Sequence, residues 1–233
     1  MRLPAATGWG ILRRRYKRFL ADVELPGGEV VVAHVPNPGA MRGCAAPGSP
    51  CLLSPAPAAH RTLAWTLEVV VDGGIPVGVN TGRANGLVAE ALRSGVLAVP
   101  GLAPGWQTRR EVRLGAHSRA DFCLEDGGTP YWVEVKSVSW AVDGVARFPD
   151  AVTARGARHM AELAARAELG DRAAVVFLVQ RGDARVVQAA SEIDAAYARA
   201  LAAARAAGVL ALAVQVAIGS HALVPWRVVP VQV

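Results

Sequence analysis

The chain has 233 residues, 52% hydrophobic and 19% charged, which fits one large or two small globular domains and excludes disordered, collagen-like and coiled-coil proteins. Its formal net charge of +6 permits an anionic partner but points to nucleic acid only weakly. The three cysteines have no C-x-x-C spacing, so we predict reduced thiols and neither a disulfide framework nor a zinc site.

The apolar segments are too short to predict a membrane span. The best of them, Val209 to Ile218, is interrupted by Gln215 and has about half the length that a spanning helix needs. The first ten residues lack the continuous apolar stretch of a secretion signal. We therefore expect a cytoplasmic protein with no membrane partner, whose oligomeric state the sequence leaves open.

Short β-rich segments separated by Pro and Gly clusters fill the first part of the chain. The predicted strands span residues 21–25, 29–35, 51–54, 61–72 and 75–79. So many short strands predict a small antiparallel barrel or sandwich. A helical period then takes over in residues 81–95, with Asn85 as its cap and Gly95 as its end. We place the domain boundary here, between residues 1–84 and 85–233.

The second part alternates strands with helices. A hairpin is predicted over Ser118 to Trp140, with its turn at residues 126–130. The elements that follow are a helix over 153–169, a strand over 173–180, a helix over 191–207 that includes Ile193 on its apolar face, and a strand over 209–216. This alternation predicts an α/β layer with some parallel pairing.

Two carboxylates and a lysine form the most informative pattern in the chain. Glu134 and Lys136 are two residues apart on a predicted strand, so both project from one face while Val133 and Val135 project from the other. The hairpin turn brings Asp121 back beside them. Carboxylate oxygens suit Mg²⁺ or Mn²⁺, and a nearby lysine can orient or deprotonate a water molecule. The pattern therefore indicates phosphodiester hydrolysis, with Asp121 and Glu134 as metal ligands.

Composition also singles out Lys136. Of the 25 basic residues only Lys17 and Lys136 are lysines and the other 23 are arginines. An arginine cannot replace the compact, titratable ammonium of a catalytic lysine. The structural alternative, a solvated hairpin face with a Glu-x-Lys ion pair, stays open on this pattern alone.

The spacing resembles the D-x(n)-E-x-K signature of the PD-(D/E)XK nuclease superfamily, in which the acidic residues bind metal and the lysine assists the attacking water. We assign the aspartate to Asp121, because Asp150 follows the Glu-x-Lys strand. The chain also resembles the sugar fermentation stimulation protein A family from about Leu12 to Val216. The segments that carry this resemblance are residues 14–23, 34–41, 78–81, 118–122, 134–136 and 148–153.

The resemblance implies a two-domain α+β protein. Its N-terminal part would be an OB-fold-like β-barrel that binds nucleic acid, and its C-terminal part a restriction-endonuclease-like α/β domain. The family is associated with DNA binding and, through its name, with the regulation of sugar metabolism. That name describes a phenotype and not a reaction.

A basic and aromatic segment beside the barrel is the first candidate for nucleic-acid contact. Basic groups neutralise phosphates, and aromatic rings stack on unpaired bases. The candidate residues are Arg14, Arg15, Tyr16, Lys17 and Arg18. A solvated basic edge is the alternative, and we expect Phe19 to belong to the core because it begins an apolar strand pattern.

Further candidates lie in loops and on a helix. His34 and Asn37 flank a rigid Pro-containing turn, whose alternative role is structural. Arg155 is expected to hold a phosphate near the N-terminus of its helix, where Arg158 and His159 share its face. Asn80 is expected to cap a helix, and Asp150 or Thr153 to cap the next one. Glu111 is either a third carboxylate or part of a surface ion pair.

The function expected from these residues is DNA binding combined with a nuclease activity that depends on Mg²⁺ or Mn²⁺. Two alternatives stay open. One is a non-catalytic DNA-binding regulator of sugar metabolism genes that keeps a nuclease-like scaffold. The other is an OB-type RNA-binding module with an accessory α/β domain, which would distinguish RNA by its 2′-hydroxyl groups.

Overall fold

The computed structural model describes residues 1–56, 62–115 and 118–233. The strands of the first part are β1 (Gly8–Tyr16), β2 (Leu20–Glu24), β3 (Val30–His34), β4 (Pro50–Pro55), β5 (Trp65–Asp72) and β6 (Ile75–Gly78). The strands of the second part are β7 (Gln107–Arg113), β8 (Arg119–Glu125), β9 (Tyr131–Val138), β10 (Ala141–Val142), β11 (Val145–Phe148), β12 (Arg172–Val179), β13 (Val186–Ala189), β14 (Leu210–Ile218), β15 (Leu223–Val228) and β16 (Val231–Gln232). The helices are α1 (Ala84–Arg93), α2 (Ala154–Glu168) and α3 (Ala195–Ala206).

The first five strands close into a barrel. Their order is β3-β2-β1-β4-β5, and β3 also pairs with β5, so the sheet has no free edge among these strands. Alternation places Ala21 and Val23 of β2 in the core. Gly10 lets β1 approach β2 closely, because a Cβ there would lie 2.6 Å from a methyl group of Val23. β6 adds to β5 beyond the closed barrel.

The second part is built on a six-stranded mixed sheet in the order β15-β14-β12-β9-β8-β7. β12 runs parallel to both β9 and β14, and the other pairs are antiparallel. α1 packs on one face of this sheet, and α2 and α3 pack on the other. β12 is therefore covered on both faces, which explains its continuous apolar sequence.

The predicted class, a β-barrel followed by a restriction-endonuclease-like α/β layer, is confirmed. Several boundaries differ from the prediction. α3 begins at Ala195 and not at Ser191, because Asp194 caps it and residues 191–193 form a turn that keeps Ile193 outside the helix. The strands absent from the prediction are β1, β7, β10, β11, β13, β15 and β16. The predicted strand 61–72 is observed as Trp65–Asp72, and Arg61 lies outside the described residues.

Helix α1 also begins differently from the prediction. A short 3-10 turn, Thr81–Arg83, precedes it, and the Asn80 side chain accepts the N–H of Gly82 there. The expected capping role of Asn80 is therefore confirmed. Asn85 lies inside the helix, so the prediction that it is the cap is wrong. Gly95 follows the helix with a φ of +75°, as the prediction of a stop there requires.

Specific hydrogen bonds join the two domains. The backbone N–H of Met41, in the barrel, donates to Asp150 Oδ2 at 2.7 Å, and Arg42 Nε donates to the carbonyl oxygen of Asp150 at 2.9 Å. At a second point, the N–H of Gly78 donates to the Gln180 carbonyl at 2.8 Å. These contacts place the barrel loop 37–42 against the α/β domain. Within the described residues, no helix has the length and apolarity to cross a bilayer.

Candidate active site

Asp121, Glu134 and Lys136 lie together at one end of the central sheet. The antiparallel pairing of β8 with β9 ends next to Asp121. Beyond that point the Asp121 side chain takes the place of a backbone hydrogen-bond partner, because its Oδ2 accepts the N–H of Val135 at 2.7 Å. On β9, Lys136 Nζ donates to Glu134 Oε1 at 2.7 Å. The hairpin thus brings the two carboxylates and the ammonium group to one place.

Glu134 is a buried carboxylate with one oxygen bonded and one oxygen left over. Only 4% of the residue is exposed. Oε1 accepts from Lys136 and, at 2.5 Å, from His159 Nδ1. Burial opposes the charge, but the hydrogen bonds and charges of His159 and Lys136 outweigh burial and lower the pKa of Glu134. Oε2 is buried and has no hydrogen-bond partner among the described residues.

The pKa of Asp121 is shifted in the opposite direction to that of Glu134. Burial, helped by the nearby charge of Glu134, raises the pKa of Asp121, and the hydrogen bonds from Val135 and Asn85 offset only part of this effect. Two carboxylates therefore share a poorly hydrated place with one ammonium group. This excess of negative charge is the electrostatic condition that a bound cation would relieve.

Two residues at the site had been assigned other roles. Asn85, predicted as a helix cap, donates from Nδ2 to Asp121 Oδ1 at 2.8 Å. His159, predicted to face a phosphate, is instead buried against Glu134, and Arg155 Nε donates to its Nε2 at 3.3 Å. The signal for His159 was its one-turn spacing from Arg155, but the sequence does not show which of the two points inward.

The donor set fits a hard divalent cation. The free Oε2 of Glu134 and the remaining lone pairs of Asp121 are oxygen ligands of the kind that Mg²⁺ and Ca²⁺ prefer. Across the described part of the chain, no group of three or more His, Cys, Asp or Glu side chains is placed to hold a metal. A cation here would complete its shell with water and phosphate oxygens, as Mg²⁺ commonly does.

A cleft of about 480 Å³ opens beside Lys136, between the two domains. The barrel contributes Arg18, Asn37, Pro38 and Gly39 to its walls, and the α/β domain contributes Asn85, Lys136, Ser137, Asp150 and Arg155. The cleft therefore extends from Lys136, the lysine of the cluster, to the barrel loop.

In the basic segment at the end of β1 and in the turn after it, some side chains pair with an acidic residue and others do not. Arg14 and the Tyr16 hydroxyl both donate to the carboxylate of Asp22, and the Arg14 guanidinium also covers the Tyr16 ring. The exposed side chains of Lys17 and Arg18 have no acidic partner within the described ranges. Arg14 and Tyr16 thus satisfy each other through Asp22, while Lys17 and Arg18 present free charge.

Arg15 and Asn37 are engaged with the barrel loop. Arg15 donates to the carbonyl oxygens of Asn37, Gly39 and Ala40 at 2.8–3.0 Å. The Asn37 amide donates to the Val79 carbonyl and accepts from the N–H of Gly39, and Asn37 is buried. These contacts fix the loop 37–40 at the cleft, so both residues act on the loop's conformation.

The other residues singled out by the sequence differ in how exposed they are. Phe19 is 44% exposed, so the prediction that it belongs to the core is wrong; it is the last residue of the β1–β2 turn. His34 ends β3 and is partly buried. Arg155 is exposed and lines the cleft. Thr153, and not Asp150, caps α2 by accepting the N–H of Gly156.

Glu111 lies next to the site in the sheet. Its neighbours Arg110 and Val112 pair with Phe122 and Ala120, so the register places Glu111 opposite Asp121. Glu111 is exposed and has a φ of +51°. Its neighbour Arg109 pairs with Glu125 at 3.1 Å.

Comparison with known proteins gives two matches to models of one family. The N-terminal OB domain of SfsA matches residues 14–79. The sugar fermentation stimulation protein RE domain matches residues 82–222. Together these two models cover most of the chain.

Individual relatives agree with the family models. A sugar fermentation stimulation protein homolog of Geobacter sulfurreducens is 48% identical over 213 residues, covering 91% of this chain and 90% of the relative. The homolog of Alkalilimnicola ehrlichii is 52% identical over 212 residues, covering 88% of each. The solved structure of Pyrococcus furiosus SfsA in complex with Ca²⁺ matches with a TM-score of 0.87 at 26% identity, covering 100% of both chains.

Proposed function

The chain belongs to the sugar fermentation stimulation protein family, and from this premise we propose that it is a DNA-binding protein whose α/β domain hydrolyses phosphodiester bonds with a divalent cation. The observation that carries the proposal is the buried, unpartnered Oε2 of Glu134, beside Asp121 and Lys136. A buried carboxylate oxygen without a donor is costly unless something else satisfies it.

Mg²⁺ or Mn²⁺ is the proposed cofactor. The Pyrococcus furiosus relative was solved with Ca²⁺, which also takes oxygen ligands. In this chain Glu134 Oε2 and Asp121 would hold the cation. When bound, the cation would stabilise the negative charge that develops on the phosphoryl group.

The protein's own residues have distinct tasks in hydrolysis. Lys136, whose ammonium group lies 2.7 Å from Glu134 Oε1 and borders the cleft, would hydrogen-bond and orient the attacking water. Water would form the new P–O bond and lose one proton, while one ester P–O bond breaks and its oxygen leaves with the bonding pair and takes up a proton from solvent. Asn85 would orient Asp121, and His159 would orient Glu134.

The cleft is the proposed DNA site. Arg155 at one wall and Arg18 at the other are exposed cations suited to the phosphates on either side of the cleaved bond. Arg14, Tyr16, Lys17 and His34 are proposed to support binding around the barrel. Arg15 and Asn37 would act indirectly by holding the barrel loop.

The proposal is tested by nicking of supercoiled plasmid with Mg²⁺, Mn²⁺ or EDTA. Asp121→Ala, Glu134→Gln and Lys136→Ala are each expected to reduce the rate by about 100-fold or more, as loss of a group acting in the transition state does. Glu125→Gln is the matched control, because Glu125 is a partly exposed carboxylate on the same strand as Asp121. Equal nicking by the wild type and all three variants would contradict the proposal.

The alternative, a DNA-binding regulator that keeps the nuclease-like scaffold, predicts a different result. Binding would weaken steeply with salt, would be unchanged by EDTA, and would cause no strand scission. Preference for RNA over single-stranded DNA of equal length would instead favour the RNA-binding module.

Metal binding itself is measurable without a substrate. Ca²⁺ is expected to raise the melting temperature of the wild type, because a ligand at about 100 times its Kd stabilises the folded state by about 2.7 kcal/mol. EDTA should reverse the shift, and Glu134→Gln should abolish it, since Oε2 is the proposed ligand. An unchanged shift in Glu134→Gln would place the cation elsewhere.

A further inference from the structure

The turn between β1 and β2 combines backbone strain with an exposed ring. Lys17 and Arg18 are the first two of its three residues and have φ values of +46° and +65°. Glycine or asparagine adopts this left-handed conformation more easily than either residue does. Phe19 follows and is 44% exposed. Strained backbone that persists beside an exposed aromatic ring is typical of binding sites.

The backbone of the turn is fixed although its side chains are free. The N–H of Phe19 donates to the Lys17 carbonyl at 2.7 Å, and its carbonyl accepts the N–H of Val35 at 2.8 Å. Arg15 Nε donates to the Arg18 carbonyl at 3.0 Å. The ring of Phe19 is therefore presented to solvent by a held main chain, which lowers the entropic cost of binding with it.

The turn adjoins the proposed cleavage site. Arg18 lines the same cleft as Lys136 and Arg155. Neither Lys17 nor Arg18 is neutralised by an acidic side chain among the residues that the structure describes. A strand that leaves the cleft at Arg18 would thus reach a turn that also carries the free ammonium group of Lys17 and the exposed ring of Phe19.

We propose that Phe19 stacks on an unpaired base, while Lys17 and Arg18 contact the phosphates that flank it. This inference rests on the proposed function and narrows its substrate to nucleic acid that has unpaired bases next to the cleft. A base inside a duplex is stacked on both sides and offers no free face to the ring, whereas a single strand offers one at every nucleotide.

The test compares two fluorescent probes, an oligothymidylate of about 20 nucleotides and a duplex of equal length, which both exceed the site of one OB fold. Binding is followed by anisotropy in EDTA and again in Ca²⁺. Phe19→Ala is expected to weaken single-strand binding at least fivefold and to leave duplex binding within about twofold, in line with the loss of one stacked base. Phe19→Trp, which keeps a ring, should bind the single strand like the wild type.

Two further variants complete the design. Trp9→Ala removes a ring that is 42% exposed at the other end of β1, so it is the matched control and should bind like the wild type. Arg18→Gln should reduce the salt dependence of binding by about one phosphate contact. Retained melting temperatures show that the variants fold.

The outcomes separate this inference from the proposed function. Equal single-strand affinity of Phe19→Ala and the wild type overturns the stacking role and leaves the nuclease proposal standing. Equal losses on both probes in Phe19→Ala also overturn it, because stacking on unpaired bases affects only one probe. A wild type that binds neither probe overturns both proposals.

Discussion

Both lysines of this arginine-rich chain lie at or beside the cleft. Lys136 borders it and bonds to Glu134, and Lys17 precedes Arg18, which lines it. The compositional argument thus led to Lys136 without any knowledge of the fold. The sequence did not identify His159 in the same way, because a histidine one helical turn from Arg155 can face solvent as well as a buried carboxylate.

His159 provides the prediction at this scale. His159→Leu should weaken binding of Ca²⁺ or Mn²⁺ by about 10- to 100-fold, because the donor that orients Glu134 is lost. His159→Asn should recover part of the affinity, since its amide can reach toward Glu134 from the Nδ1 position. Isothermal titration calorimetry measures both.

The control for His159 is Arg158, an exposed neighbour on the same helix. Arg158→Gln should leave the metal affinity within about twofold, in line with the small effects of exposed charges. Identical affinities of His159→Leu and the wild type would show that His159 does not act on the metal ligand.

At the scale of elements, the starts of α2 and α3 share one buried carboxylate, that of Asp194. Asp194 accepts the N–H of Tyr197 at 2.9 Å in α3 and the N–H of Thr153 at 2.8 Å before α2. One carboxylate thus satisfies the starts of both helices that cover the same face of the sheet.

Asp194→Ala should lower the free energy of unfolding by about 1–2 kcal/mol in urea denaturation. The free energy of unfolding of Asp194→Asn should lie between those of the wild type and Asp194→Ala, since one amide oxygen replaces two carboxylate oxygens. Burial opposes ionisation, but the backbone donors of Thr153, Tyr197 and Ala196 outweigh it and lower the pKa of Asp194.

The lowered pKa of Asp194 makes the contribution of this residue to stability depend on pH. A carboxyl whose folded pKa lies below its unfolded value of about 3.9 stabilises the protein above that pH. The stabilisation disappears as the pH falls through the folded pKa. The difference between the wild type and Asp194→Ala should therefore be full at pH 7 and shrink below about pH 4. A difference that stays constant down to pH 3 would contradict the role of the charge.

The whole molecule depends on how the barrel loop sits against the α/β domain. The Asp150 carboxylate accepts the N–H of Met41 and occupies the space beside Gly39. A Cβ at Gly39 would lie 2.5 and 2.8 Å from the two carboxylate oxygens of Asp150. The absence of a side chain at this one position therefore permits the contact that shapes the cleft.

Gly39→Ala should destabilise the protein by about 1–3 kcal/mol, as overpacking does, and should weaken DNA binding because the loop at the cleft shifts. In an Asp150→Ala background the same substitution should cost less, with a coupling of about 0.5–3 kcal/mol in a double-mutant cycle. Gly27→Ala is the control, since no described atom lies within 4 Å of its built Cβ. Strictly additive energies would show that Asp150 is not the group that Gly39 accommodates.

The sequence alone predicts a β-rich first part, an alternating second part and the shared face of Glu134 and Lys136, because strand alternation and helical periodicity are local patterns. It also indicated the caps Asn80 and Thr153, whose hydrogen bonds reach only two or three residues along the chain. Local rules of this kind need no knowledge of distant neighbours.

Three features depend on packing in three dimensions: Asn85 meets Asp121, His159 is buried against Glu134, and Phe19 is exposed. Asn85 and His159 contact their partners across 36 and 25 residues of chain, so the packing of helices on the sheet sets the contacts. Phe19 begins an apolar strand pattern, but it lies in the tight β1–β2 turn, where its ring is exposed. Which side chains converge is a property of how the elements pack, and local sequence does not contain it.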